Sequence, residues 1–283
     1  MAKAKNRKVI LPIAIIICVV VIISAIVILV SIFSGNYINY SNQEDKAYEK
    51  TAKDAVDSTP IIVNGILLGC TKNNEWINPD AYYEANSNIA SIDINMFSEN
   101  KFYGEYKTAS LKKHSNKVVY TTIAKEGVPD KYLALGKDSS KLMPGMTKVD
   151  ATEEDLEYVK EALGSYKLVN GSVKITEVYL TNITNVTDKV ICVVSEKANM
   201  FGAYSAVIFV KNKTPELVKY SYVKDVENAD RWPVYSLQFV KDLNMDNKPE
   251  IILQELTGND VKYSVLEYKD NKFVQVLSTA IEI

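Results

Sequence analysis

The hydrophobic pattern opens with one long apolar run that is never repeated. Ile10 to Phe33 carry no charge and are interrupted only by Pro12, Ser24 and Ser31. At ~1.5 Å per residue this is roughly 36 Å of helix, enough to cross a ~30 Å hydrocarbon core with some tilt. Lys3, Lys5, Arg7 and Lys8 precede the run, and Asn36, Tyr37 and Tyr40, then Glu44 and Asp45, follow it. Positive charge stays on the cytoplasmic side and tyrosine favours the interface. The pattern therefore predicts a cytoplasmic tail over 1–9, a transmembrane helix over 10–33 and an extracytoplasmic remainder. A cleaved signal peptide, with Ile32 and Ser34 at its −3 and −1 sites, is the competing reading. The apolar run is much longer than the roughly 7–15 residues of a signal h-region. Cys18 follows Ile15, Ile16 and Ile17 rather than the small residues a lipoprotein signal needs.

Beyond the run the periodicity changes twice. Residues 34–60 are polar and predict a stalk, with Tyr48, Ala52 and Ala55 at helical spacing in a short helix from Glu44 to Val56 that Pro60 ends. From Ile61 the pattern is β. Ile61–Gly69 predicts one or two strands with a turn at Asn64-Gly65, and a second turn is expected at Asn73-Asn74. Asn78-Pro79 starts a short helix over Pro79–Ala85, Asn as cap and Pro in the first turn. Strands are expected at Ile92–Phe97, Phe102–Tyr106 and Val118–Ile123. Residues 125–148, with Pro129, Pro144 and three glycines, read as loop.

Thr152 and Asp155 then cap the best helical segment of the chain, whose acids fill the first turn and which Gly164 stops. Leu156, Val159 and Leu163 form its apolar face. Strands follow at Val173–Leu180, Val190–Ser195, Ala203–Val210, Leu217–Val223, Tyr235–Val240, Ile251–Leu256, Lys262–Tyr268 and Phe273–Leu277. Much of this alternates apolar with polar, as antiparallel sheet with one wet face does. The fold class expected is α+β: a transmembrane helix, then a mainly antiparallel β ectodomain with a few short helices. Residues 61–148 form an N-terminal α+β part, and 149–283 a helix followed by a β-rich part.

Charge excludes one class of partner. Lys3, Lys5, Arg7 and Lys8 are the basic residues of the first 33 positions, and no acid stands among them. The outer part thus holds 29 basic residues (33 less these four) against all 35 acids, a net −6. No basic stripe for nucleic acid is present. The abundance of Lys, Asn, Ile and Tyr reads as bacterial, which makes the N-x-S/T sequons products of Asn-rich sequence. Cys70 and Cys192 both sit in apolar strand-like runs and form either a long-range disulfide or two buried thiols.

The most specific local pattern is Lys241-Asp-Leu-Asn-Met-Asp-Asn-Lys-Pro-Glu250. Asp242, Asn244, Asp246 and Glu250 occupy positions 1, 3, 5 and 9 of a short polar loop, hard oxygen donors of the kind that suits Ca²⁺. Position 12 is Leu253, so this is no EF-hand. With strands on both sides, residues 235–276 resemble one four-stranded blade of the FG-GAP or VCBS type, as in integrin-like β-propellers. The resemblance implies a metal site in which Asp242, Asn244, Asp246 and Glu250 ligate Ca²⁺ by side chain and Lys248 by its carbonyl. Asn247 stands where such loops prefer glycine, and Pro249 stiffens the approach to Glu250. An Asx-stabilised hairpin without an ion is the other reading of the same residues. The strands from Val173 onward suffice for two blades, and no second such loop is present, so a closed propeller of 4–8 blades is not expected.

Catalytic motifs are wanting. The single histidine, His114, lies in a polar stretch, and one histidine with two outer cysteines cannot build a zinc cluster. S-x-x-K occurs at Ser98, Ser110 and Ser221 without companion motifs. No G-x-S-x-G, Walker or G-x-G-x-x-G sequence is present. A pair of glycosidase carboxylates leaves no sequence trace and stays open. The 18 tyrosines, with Trp76 and Trp232, are either half-buried strand residues or a sugar- or peptide-binding face.

These features point to a membrane-anchored, extracytoplasmic protein of a bacterial envelope that binds or scaffolds rather than catalyses. Its expected partner is an envelope protein or wall polymer. An anchored wall or polysaccharide hydrolase using acidic residues is the alternative.

Overall fold

The computed structural model describes residues 51–114, 118–123, 126–143, 145–165, 173–195, 203–223 and 232–282. The expected transmembrane helix over 10–33 and most of the stalk lie outside these residues. Among the described residues no helix is long and apolar enough to cross a membrane.

The described residues belong to one compact unit that is mostly antiparallel sheet. Its strands are β1 (Thr59–Val63), β2 (Ile66–Lys72), β3 (Glu75–Ile77), β4 (Asp93–Ser98), β5 (Lys101–Lys107), β6 (Lys112–His114), β7 (Val118–Tyr120), β8 (Leu133–Gly136) and β9 (Met146–Val149). They continue with β10 (Val173–Thr181), β11 (Asp188–Ser195), β12 (Ala203–Lys211), β13 (Thr214–Val223), β14 (Val234–Lys241), β15 (Glu250–Thr257), β16 (Asp260–Lys269) and β17 (Lys272–Glu282). Helix α1 spans Pro79–Asn86 and α2 spans Glu153–Ser165.

Three sheets result. An 8-stranded sheet has the order β5-β4-β8-β1-β2-β7-β6 with β3 on β2, a 5-stranded sheet runs β13-β12-β11-β10-β9, and a 4-stranded meander runs β14-β15-β16-β17. None closes on itself.

The buried clusters show how these stack. Ala81 and Tyr82 of α1 pack on one face of the large sheet with Ile62, Leu67 and Met96. The opposite face, through Ile61, Leu68, Phe97 and Leu133, packs on Phe239, Ile252 and Val265 of the four-stranded sheet. The far side of that sheet, through Leu237, Ile251 and Phe273, meets Cys192, Val207 and Phe209 of the five-stranded sheet. Val159 and Leu163 of α2 cover the last face, against Ile191, Ala206 and Ile208. The order is therefore helix, sheet, sheet, sheet, helix, with the four-stranded meander at the centre.

Local chemistry explains most element ends. Asn78 Oδ1 accepts the Ala81 N–H at 2.8 Å, and Pro79 opens α1. Thr152 and Asp155 cap α2 reciprocally: the Asp155 N–H donates to Thr152 Oγ1, and the Thr152 N–H and hydroxyl donate to Asp155 Oδ2. Asn64-Gly65 and Asn73-Asn74 take positive φ at the expected turns.

Four expectations need correction. Residues 125–148 are not all loop, because Leu133–Gly136 forms β8 between β4 and β1, and Met146–Val149 forms β9. The apolar run Leu-Ala-Leu is too short to show a period, and only its pairing with β1 and β4 makes it a strand. The described part of the expected stalk helix, residues 51–56, is a succession of turns, and Asp57 follows with φ 57°. Gly164 does not stop α2, which runs on to Ser165. The buried face of α2 is Asp155, Tyr158, Val159, Ala162 and Leu163, while Leu156 is half-buried.

Candidate cation site

The 242–250 loop begins inside the ladder. Lys241 ends β14, Glu250 begins β15, and the two are register partners. Between them the backbone curls around its own side chains. Asp242 accepts the N–H groups of Asp246 at 3.2 Å and Asn247 at 3.1 Å. Asn244 Oδ1 accepts the same Asp246 N–H at 3.0 Å, and Asp246 Oδ1 accepts the Lys248 N–H at 2.8 Å. Met245 and Asn247 sit at φ 65° and 67°. Asn tolerates that conformation readily, so Asn247 fits the turn without a glycine. The Asx-stabilised hairpin is thus formed.

Glu250 is what a plain hairpin does not need. It is 0 % exposed. Its Oε2 accepts the Leu243 N–H at 2.8 Å, which turns the carboxyl toward the loop. Its Oε1 is buried without a hydrogen-bond partner. Burial, and then the negative charges of Asp246, Asp242 and Glu267, push its carboxyl up to about 9 against the opposing Leu243 N–H. Burial likewise raises Asp242. A buried acceptor left unsatisfied costs about 1–3 kcal/mol, a cost that a cation held between Glu250 and Asp242 removes. Among the described residues no three His, Cys, Asp or Glu side chains already stand at metal-clasping distance. Cation binding would therefore require Asp242 and Asp246, both half-buried and now holding loop N–H groups, to close on Glu250. Lys248 is exposed, with its N–H turned to Asp246.

The neighbouring β10–β11 connection provides an internal comparison. Asp188 opens β11 as Glu250 opens β15, and it too is 0 % exposed. There the protein fills both oxygens itself: Asp188 accepts from the Thr184 N–H at 2.8 Å and from its hydroxyl at 2.8 and 3.0 Å. One buried acid is satisfied within its loop, whereas the other keeps an open oxygen.

Three residues around the loop escaped the sequence pattern. Lys241 is 1 % exposed, and its Nζ donates to the Ser140 and Leu142 carbonyls. Its signal was the parity it shares with Phe239, which places it on the strand face turned to the large sheet. Thr71 Oγ1 donates to the Leu243 carbonyl at 3.1 Å, and Glu267 accepts the Trp76 indole N–H at 3.2 Å. Both are contacts between sheets far apart in sequence, which no local pattern reveals.

The other candidates fall away from any site. Trp76 is 5 % exposed and belongs to the core, as do Tyr82, Tyr132, Tyr179, Tyr204, Tyr235 and Tyr263. Trp232 is half-buried. Cys70 and Cys192 are free and buried, and burial pushes both thiols up to about 12. His114 is exposed on the edge strand β6. A shallow open groove lies between Thr184, Lys248 and Tyr268, and its polar lining is exposed or half-buried.

No protein-family model, no curated protein and no solved structure matches this chain.

Proposed function

We propose that this chain is a single-pass, extracytoplasmic binding or scaffolding protein of a bacterial envelope, non-catalytic, with Ca²⁺ as a structural ion at Asp242, Asn244, Asp246, Lys248 and Glu250. The observation that carries the cation reading is the buried Glu250 with one unpartnered oxygen, set in a loop of two further carboxylates. The membrane anchor rests on the charge pattern around residues 10–33. A β-rich layered body with helices on both outer faces suits a rigid scaffold, and the resemblance of residues 235–276 to a calcium-bearing blade accords with the β14–β17 meander.

The alternative, an acid-dependent hydrolase, needs two carboxylates within reach of substrate, one of them with a raised pKa. Among the described residues Glu250 is the carboxyl pushed furthest up, and it is fully buried. The binding reading is therefore favoured.

Crosslinking in native membranes, followed by identification of the captured species, tests this function. A reproducible envelope protein or wall fragment supports it. Release of cleaved wall or polysaccharide by the purified full chain overturns it in favour of the hydrolase. A reporter active only outside the membrane, fused after Ile283, is expected to be active, and an inactive reporter contradicts the topology.

A further inference from the structure

Strands β10–β13 and β14–β17 share one construction. In each set a polar loop joins the first two strands, and a buried acid, Asp188 or Glu250, opens the second strand opposite the last residue of the first. In each, two residues at positive φ, Asn212-Lys213 or Asp270-Asn271, join the third strand to the fourth. The fourth strand then makes four ladder pairs and bulges by one residue, Val218 or Val276. Their faces correspond as well. Val207 and Val265 are equivalent by this count, and Val207 packs toward the four-stranded sheet while Val265 packs toward the large sheet. Ile208 and Leu266 are likewise equivalent, and they face α2 and the five-stranded sheet. The two units therefore stack in one orientation, each offering the same face to the next layer.

Antiparallel order brings the turns of both units to one end, and rigid strands that present loops in this way position binding groups. The shallow groove lies there, between equivalent loops. Asn185 lines it from the first unit's loop, Lys248 from the second's, and residues 268–271 from the second unit's closing turn. Tyr268 is fixed in place: its ring packs on Phe209 and Phe273 at 5.4 and 5.0 Å between centroids, and Lys211 Nζ donates to its hydroxyl at 3.5 Å. Asn185 and Asn271 are exposed, and each amide offers donors and an acceptor, which suits hydroxyl groups. Exposed Lys248 and Lys269 outnumber exposed Asp270 in the lining, although the chain beyond residue 33 is net −6. The lining exposes no large apolar side chain to anchor a peptide. We propose that this groove, framed by equivalent loops of two like units, binds an acidic sugar chain. The two amides take its hydroxyls, and Lys248 and Lys269 take its anionic groups. The proposal rests on the binding reading above and names the ligand class of that binding.

Calorimetric titration of the full chain in nanodiscs of uncharged lipid tests this, with polygalacturonate, which carries a carboxylate on every sugar, and with uncharged dextran. Polygalacturonate is expected to bind at least about tenfold more tightly than dextran. Joint Lys248→Ala and Lys269→Ala replacement is expected to weaken it by about tenfold, two exposed ion pairs together. Lys53→Ala with Lys112→Ala, which removes the same charge from the opposite outer layer, is expected to leave binding unchanged. An equal loss in that control pair overturns the groove in favour of unspecific attraction. Binding that survives loss of Lys248 and Lys269 overturns the groove and leaves the binding function standing. Polyglutamate that binds as tightly as polygalacturonate overturns the sugar class. Binding of neither polysaccharide overturns the proposal, and the crosslinking experiment then decides the binding function separately.

Discussion

Lys241 and Glu250 are register partners at the mouth of the β14–β15 hairpin, and no ion pair joins them. The ammonium donates to the Ser140 and Leu142 carbonyls, and the carboxyl accepts one backbone N–H. Two buried ionisable groups therefore sit side by side at the centre of the layered core, each held by backbone. Burial lowers Lys241 to about 8 and pushes Glu250 up to about 9.

Replacing Glu250 by Gln separates the ion's contribution from the hairpin's. The unfolded chain gains by ionising Glu250 at neutral pH, and the ion-free fold does not, so the acid weakens the ion-free fold. Glu250→Gln is expected to raise stability in chelator by on the order of 2 kcal/mol and to abolish any calcium response. Urea unfolding in chelator and in calcium checks both parts, and a calcium response that persists in the variant contradicts the assignment.

Asp155 ties α2 to the five-stranded sheet. Lys189 Nζ lies 2.6 Å from Asp155 Oδ1, with the carboxylate side chain 1 % exposed. Burial alone would raise this carboxyl, but the Lys189 and Thr152 hydrogen bonds outweigh it and hold it below its usual value. Its contribution is thus present above the unfolded-state pKa of about 4 and lost as pH falls through the depressed folded value. Asp155→Ala strands a partly buried ammonium and removes a cap, and is expected to cost about 3 kcal/mol at pH 7. The difference from wild type is expected to shrink in acid, and a constant difference down to pH 3 contradicts the pairing.

Gly69 is where the large sheet leaves no room for a side chain. It sits at φ 149° beside the β1–β2 bulge, and a Cβ there would lie 2.6 Å from the Ile77 carbonyl oxygen and 2.9 Å from Leu277. The first contact is backbone and cannot yield cheaply. Gly69→Ala is expected to destabilise by about 2 kcal/mol or more, seen as a drop of several degrees in Tm. An unchanged Tm contradicts the close approach of β2 to β3 and β17.

The strands from Val173 onward were legible because apolar and β-branched runs bounded by turn residues declare a strand even where both faces are buried, as in β12, and β10 to β17 lie where the pattern places them. Both helix starts were legible because Asn78 and Thr152 act within three residues of themselves. β8 was not, since Leu133–Gly136 is buried on both faces and flanked by turn residues that outweigh it. For the candidate site, the loop's donor set was readable by spacing. The inward Lys241 and the Thr71 contact arise from packing between segments far apart in sequence, Lys241 with Ser140 at a separation of 101 and Thr71 with Leu243 at 172. Tyr82, Tyr132, Tyr179, Tyr204, Tyr235 and Tyr263 are taken up by the core, where strand propensity and burial account for them.

The most direct test of the central claim is the melting temperature of the full chain in nanodiscs, measured in calcium and in chelator, with Asp246→Ala as control. At tenfold excess over the dissociation constant the cation adds about 1.4 kcal/mol, which raises Tm by roughly 2–4 °C in a domain of this size. The account predicts that rise in the wild type and none in Asp246→Ala. Identical melts with and without calcium in the wild type would contradict it, leaving the 242–250 loop a hairpin turn.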